Sequence, residues 1–401
     1  MLDGSVIAEE TVRLVYVVTR ADRIGGALVH VRDLAMAMQS SGHTVTVLTG
    51  GTGCFTEQLA ERLIPFIALE HLSRPIRPLA DARALLEMRH VLKRLRPTLV
   101  STHSTKAGWL GRMAASSLGV PVVFTAHGWS FTDGVPAAAA WVHLWAERVA
   151  GPFADKIITV SQYDRELALK HRVAPARKLV AVHNGMPDVP RELRADPRRT
   201  PPHLVMVARF EEQKDHRTLL RALGRLSAMP WTLELIGDGP LLDDARELAR
   251  GLGIASRVQF SGARHDVARR LSKAQLFLLI SNWEGFPRSI LEAMRAGLPV
   301  VASRAGGAAE SVQHGVTGSV VRPRDVGELV HVLEPLLADA ALRQRLGHAG
   351  RLRYESAFTF EHMLANTIDV YEGVLGARVA TERHPAHLPV AHFPSIETLS
   401  H

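Results

Sequence analysis

The chain has 401 residues, 48 of them Lys or Arg and 40 Asp or Glu, giving a net charge of +8 and a pI near 10.0. An apolar fraction of 46 % excludes wholesale disorder, and this length predicts two or three domains. A single cysteine, Cys54, excludes a disulfide scaffold and a CxxC zinc site. The opening MLDGSVIAEE is acidic and lacks the apolar core of a signal peptide. The longest uncharged apolar run, Val135 to Ala146, contains His143 and falls short of the ~20 residues a membrane helix needs.

Strand-like runs alternate with helix-like runs along most of the chain. The first half predicts strands at Leu14–Val18, Thr44–Leu48, Leu99–Thr102, Val122–Ala126, Lys156–Val160 and Leu179–His183. The second half predicts them at His203–Ala208, Thr232–Ile236, Val258–Ser261, Leu276–Ile280, Pro299–Ala302 and Ser319–Arg322. Short continuous apolar runs suit parallel strands buried on both faces. Between them lie helical stripes: Leu28, Val31, Ala35 and Met38, then Leu85, Met88, Leu92 and Leu95. The alternation predicts an α/β protein with two doubly wound, Rossmann-like domains facing across a cleft. The Pro-rich, charged stretch Asp188–Pro202 reads as the linker. The tail from Arg383 reads as disordered; its His384, His387 and His392 offer metal ligands, but a solvated tail is the simpler reading.

Ligands of such sheets bind beyond the carboxyl ends of the strands. Gly25-Gly26 follows the first strand and opens a helix, so a ligand can approach the backbone and an anion can meet free N–H groups. A simple turn is the bland alternative. No G-x-G-x-x-G stands there and no Lys precedes Ser or Thr, so neither a Rossmann dinucleotide loop nor a P-loop is present. His127 follows the fourth strand, where it could donate to a sugar hydroxyl, act as a base, or be structural. Arg209 and Lys214 follow the seventh strand and could clamp a diphosphate, although surface cations are commonplace. After the tenth strand, SNWEGFPRSILEAMRAGLPVVAS places Glu284 in a loop and Glu292 on a helix read from Ser289 to Ala296. Both carboxylates can accept paired sugar hydroxyls, and the N–H groups around Phe286, Arg288, Ser289 and Ile290 would meet a phosphate. No Asp-x-Asp metal motif and no G-x-S-x-G elbow is found.

Together these residues resemble glycosyltransferase family 4, the retaining sugar-nucleotide-dependent enzymes of GT-B architecture. The resemblance covers about 14–376 and centres on Glu284-x7-Glu292. HNGM at His183–Met186, ARFEEQKD at Ala208–Asp215, IGDGP at Ile236–Pro240, Gly306-Gly307 with Glu310, and GVTG at Gly315–Gly318 flank it. It implies an acceptor-binding domain over 1–190, joined by a helix at about 360–376 that crosses back, a donor-binding domain over 200–358, and a disordered tail over 377–401. It implies that Arg209 and Lys214 bind the donor diphosphate, Glu284 contacts the sugar, Glu292 the ribose, and His127 the sugar from the other side. Gly25, Gly26, Gly237 and 286–290 complete the donor site. No metal and no cofactor is expected, the nucleotide-sugar being a substrate.

The segment HSTKAGWLGRMAASSLGVPVVFTAHGWSF resembles the branch that builds capsular, exopolysaccharide and lipid-linked saccharides. That branch implies a hexose or N-acetylhexosamine moved from a UDP-sugar to a polyprenyl-diphosphate acceptor, with Lys106, Arg112 and Trp129 as acceptor contacts. Lys106 and Arg112 could equally coat a helix. A cytoplasmic protein, peripheral on the inner face of the plasma membrane, follows from that acceptor. Two surfaces are candidates for membrane contact: the cations Arg83, Arg89, Lys93, Arg94 and Arg96, and the face of Trp141, Leu144, Trp145 and Arg148. The competing readings are a sugar-nucleotide 2-epimerase, a non-catalytic sugar-nucleotide-binding protein, and a nucleic-acid binder; the last lacks any recognisable module.

Overall fold

A computed structural model describes residues 11–132 and 135–382. The opening ten residues and the tail histidines lie outside the described residues. All pairing is parallel within two sheets. The first holds β1 (Arg13–Val18), β2 (Thr44–Gly50), β3 (Phe66–Leu69), β4 (Leu99–His103), β5 (Val122–Ala126), β6 (Lys156–Thr159) and β7 (Leu179–Ala181). The second holds β8 (His203–Val207), β9 (Thr232–Ile236), β10 (Val258–Gly262), β11 (Leu276–Leu279), β12 (Val300–Ser303) and β13 (Gly318–Val321). The twelve expected strands are all present. β3 was not expected: its run, FIAL, is wholly apolar but only four residues long, and it forms a half-exposed edge strand with one neighbour.

Strand order is β3-β2-β1-β4-β5-β6-β7 in the first sheet and β10-β9-β8-β11-β12-β13 in the second. The chain reverses direction across each sheet between β1 and β4, and between β8 and β11. Those are the switch points where doubly wound sheets open a crevice.

The period-2 alternation of β1 builds two cores. Leu14, Tyr16 and Val18 pack with Leu28, Val31 and Leu34 of the helix Gly26–Ser40 and with Met363, Leu364 and Tyr371 of the helix Phe360–Glu382. Val15 and Val17 pack with Met88 and Leu92 of the helix Pro78–Leu95 and with Ala107 and Leu110 of the helix Thr105–Ser116. The C-terminal helix thus returns to the first sheet. It continues to Glu382, past the 376 at which a disordered tail was expected to begin. The helix Arg288–Arg295 and the strands of the second sheet share one further core.

The linker composition of 188–202 does not leave it loose. Arg343, fully buried, donates to the carbonyls of Pro197 at 2.8 Å and Arg199 at 2.9 Å, and Ala195 N donates to Ala296 O at 2.7 Å. Each contact satisfies linker backbone that Pro-rich sequence cannot pair within itself.

Candidate active site

The second switch point gathers charge. Arg209 follows β8 and is exposed, 3.0 Å from Glu211. Lys214 closes the same loop, and its ammonium is paired with the buried carboxylate of Glu284 from the loop after β11. Ser281 Oγ donates to the same carboxylate at 2.7 Å and Gln213 Nε2 lies 3.4 Å from it. Glu292 stands on the helix Arg288–Arg295. Burial raises its pKa, against the lowering effect of Arg295 and Arg288, and its carboxylate takes no hydrogen bond from the described residues. Arg288 and Ser289 begin that helix, so their N–H groups have no intrahelical acceptor and face an incoming anion.

The first switch point centres on three histidines. Gly25 caps the helix Gly26–Ser40 without side-chain help, and a Cβ there would meet open space. His127, half-buried after β5, lies with His103 at the end of β4 and His30 on the first helix. Their ring nitrogens fall within 4.8 Å of one another, a metal-capable spacing. One nitrogen of His103 and one of His127 are engaged with each other, however: His103 Nδ1 and His127 Nε2 share a hydrogen bond of 3.0 Å. Burial pushes all three imidazoles down, His127 to about 3, with Arg288 adding to the effect there. At neutral pH each ring therefore carries one N–H and one lone pair.

The two switch points meet across the cleft. A Cβ at Gly285 would lie 2.5 Å from His127 O, so glycine is what lets the two loops touch. Arg288 Nη2 reaches Asp33 on the first helix at 3.1 Å, and Asn184 Nδ2 donates to Phe286 O at 2.8 Å. Glu310 accepts from the backbone N–H groups of Gln162 and Tyr163 at 2.9 and 2.6 Å and lies 2.7 Å from His183 Nε2. Burial would raise the Glu310 carboxyl, but His183 and the two N–H groups hold it below the usual range. His183, Asn184, Phe286, Arg288 and Glu310 stood in named motifs, but their pairing across the cleft, and the parts of Asp33, Gln162 and Tyr163 in it, were not foreseen. They join residues more than 100 positions apart, and periodicity carries no such information.

Several expected contacts are corrected. Arg112 neither meets acceptor phosphates nor coats the helix: it is fully buried, 2.6 Å from Glu147, over the ring of Phe124. Lys106 is buried against Asp81 at 2.5 Å and donates to Pro75 O. Trp129 is buried between Phe124 and Phe131, its Nε1 donating to Asp164 O at 2.8 Å. Phe286 turns its ring into the core beside His183 and Phe358, leaving only backbone for the cleft. The Ile290 N–H is spent on Pro287 O at 3.2 Å. Gly237, with φ of +149°, lies where a Cβ would strike Ala208 O at 2.0 Å, so it serves the approach of β9 to β8.

Two doubly wound parallel sheets that face each other across their switch points have the GT-B architecture of glycosyltransferases. The model of the glycosyl transferases of group 1 matches 191–353 and that of Glycosyltransferase Family 4 matches 24–188. The chain belongs to glycosyltransferase family 4. An Escherichia coli protein named UDP-Gal:α-D-GlcNAc-diphosphoundecaprenol α-1,3-galactosyltransferase is 27 % identical over 74 % of this chain and 81 % of its own. The lipopolysaccharide core biosynthesis glycosyltransferase LpsE of Rhizobium meliloti is 30 % identical over 50 % of this chain and 56 % of its own. HepE of Anabaena, solved with UDP and glucose, superposes with a TM-score of 0.78 at 21 % identity, over 90 % of this chain and 99 % of its own. That likeness supports the fold. The chain is thus an enzyme that transfers a sugar, and the epimerase and binding-protein readings are set aside.

Proposed function

We propose that the protein moves a hexose or N-acetylhexosamine from a UDP-sugar to a polyprenyl-diphosphate-linked saccharide, with retention and without a metal, in surface polysaccharide synthesis. The observation that carries this is the charge placement at the β8–β11 switch point. A departing nucleoside diphosphate accumulates negative charge in the transition state, and preorganised cations and N–H groups stabilise it. Arg209, Lys214 and the N-terminus of the helix Arg288–Arg295 supply both. Lys214 is held by Glu284 before donor arrives; as Lys214 turns to phosphate, that carboxylate is released to accept sugar hydroxyls. Glu292, whose carboxylate takes no hydrogen bond from the described residues, is left to accept from the ribose. His127, uncharged, contributes a neutral hydrogen bond to the sugar. Same-face attack, with the donor phosphate taking the acceptor's proton, fits a site whose carboxylates are committed to binding.

The acceptor assignment rests on the printed activity of the Escherichia coli relative, which acts on a diphosphoundecaprenol. Such an acceptor lies at a bilayer. No helix among the described residues is long and apolar enough to cross a membrane. The helix Ala137–Ala150 instead turns Trp141, at 63 % exposure, and Trp145, at 47 %, outward with Val142 and Val149. Arg83, Arg89, Lys93 and Arg94 stand exposed on the helix Pro78–Leu95. Aromatic side chains beside cations suit peripheral contact with the anionic inner leaflet of the plasma membrane.

The test is transfer from labelled UDP-, GDP- and ADP-sugars to undecaprenyl-diphosphate-GlcNAc in vesicles, with EDTA present and absent, and the product anomer read by NMR. UDP-sugar turnover that EDTA leaves unchanged, giving an α-linkage from an α-donor, supports the reading. Turnover from GDP-mannose, the donor named for a Mycobacterium tuberculosis relative, would overturn the base; transfer only to soluble sugars would overturn the acceptor.

A further inference from the structure

His127 reaches the cleft as one end of a buried line of hydrogen bonds. The other end is on the C-terminal helix. Tyr371, from the helix Phe360–Glu382, donates its phenol proton to Ser101 Oγ at 2.8 Å. Ser101 Oγ lies 3.1 Å from His103 Nε2, and His103 Nδ1 lies 3.0 Å from His127 Nε2. Ser101, His103 and Tyr371 are all buried. His30 packs edge-on against His127 with ring centroids 4.8 Å apart, which restrains the ring's rotation.

We propose that Tyr371, Ser101 and His103 set the tautomer of His127, so that His127 presents Nδ1–H, and not a lone pair, to the cleft. The proton count runs in one direction. Ser101 Oγ accepts from Tyr371, and its one other partner among the described residues is His103 Nε2, so the serine proton is satisfied only by donating there. A neutral imidazole that accepts at Nε2 carries its proton on Nδ1. His103 therefore donates to His127 Nε2, and His127 in turn carries its proton on Nδ1. Burial keeps the chain of groups in the protonation states this needs: the imidazoles are held neutral, and the Tyr371 phenol is pushed up to about 12. The three are positioning residues for His127, and they tie the sugar side of the cleft to the helix that returns from the second half of the chain. The consequence for chemistry is an N–H donor to a hydroxyl oxygen of the sugar, fixed before substrate arrives.

This inference rests on the reading of His127 as a donor-sugar contact, and its test separates the two. The side-chain nitrogens of 15N-histidine-labelled protein report the tautomer of each ring, with His127→Gln assigning the signal. In the native protein the His127 signal is that of the Nδ1–H form. In His103→Leu the line is cut: His127 shifts toward the Nε2–H form, and kcat/KM for the UDP-sugar falls about tenfold. Asparagine places an amide N–H where the imidazole Nδ1–H was, so His103→Asn restores the Nδ1–H form and brings kcat/KM back to within about threefold of native. Tyr371→Phe falls between the two. A merely structural role for His103 would not move the tautomer and would not distinguish Leu from Asn. A native His127 in the Nε2–H form, or equal behaviour of the two His103 variants, would overturn the proposal. If the native protein transferred no sugar from any nucleotide, the functional reading would fall, while the tautomer would still decide the line.

Discussion

The cations of the two halves do opposite work. On the helix Thr105–Ser116, Lys106 and Arg112 are sealed against Asp81 and Glu147, which lie on the helices Pro78–Leu95 and Ala137–Ala150 to either side. They lock three helices together beneath the first sheet. After β8, Arg209 stands open to solvent and Lys214 waits on Glu284 at the cleft. The residue types are the same and both sets follow a strand. What sorts them is whether a neighbouring helix supplies a carboxylate and closes over the pair. A basic residue in a strand-end segment is thus sealed into the scaffold or left at the cleft, where the proposed function gives it a phosphate, according to packing alone.

That contrast predicts a double dissociation. The largest effect is expected from Arg112→Ala, which leaves the Glu147 carboxylate buried without its cation and with only the Trp109 Nε1 hydrogen bond; breaking such a pair costs about 3–5 kcal/mol. At ~2–4 °C per kcal/mol, the melting temperature should drop by roughly 10 °C, while turnover per folded molecule holds near native. Calorimetry and a donor assay on one preparation read both. Next comes Arg209→Ala. An exposed pair contributes little to stability, so the melting temperature should stay put, yet kcat/KM should fall about 10²–10³-fold with a lost transition-state cation. Equal loss of stability in the two variants would erase the distinction.

Asp164 sharpens the scaffold side of the comparison through pH. Burial pushes its carboxyl up to about 7, with Ser161 opposing. Unfolded, the same carboxyl ionises near the ordinary ~3.9. Between those values the folded state holds a proton the unfolded state has lost, so this residue makes stability fall as pH rises from about 4 to about 7. Asp164→Asn removes that slope: at pH 8 it should exceed native stability by up to about 4 kcal/mol, and at pH 4 it should match it. Denaturant titrations at the two pH values decide the sign. The smallest effect is expected from Asp33→Asn, which weakens the 3.1 Å contact to Arg288 across the cleft. The KM for donor should rise about fivefold with kcat little changed, as for one charged hydrogen bond that favours closure. A fall in kcat at constant KM would place Asp33 in the chemistry and not in closure.

Much of this was legible in the sequence because the signals are local. Leu14–Val18, Leu276–Leu279 and their like are apolar runs that can only be buried strands, and the residues just beyond them stand at carboxyl ends whatever the details. That is why Gly25, His127, Arg209, Lys214, Glu284 and Glu292 could be singled out before the sheets were known. β3 escaped because its apolar run, FIAL, is only four residues long. Arg112 was misread because its partner, Glu147, lies 35 residues away on a helix whose packing no stripe reveals. The line through Tyr371 to His103 was invisible for the same reason at larger scale: Tyr371 and Ser101 are 270 residues apart, and neither carries a motif. Nor did periodicity show that Trp141 and Trp145 face outward, since an apolar helical face reads alike whether covered or bare.

The most direct test of the donor site is a crystal structure of the complex with UDP. The account predicts the diphosphate within hydrogen-bond reach of Arg209, Lys214 and the N-terminus of the helix Arg288–Arg295, the ribose hydroxyls on Glu292, and the Lys214–Glu284 pair opened. UDP bound elsewhere, or bound in the cleft with Arg209 still on Glu211 and Lys214 still on Glu284, would contradict it.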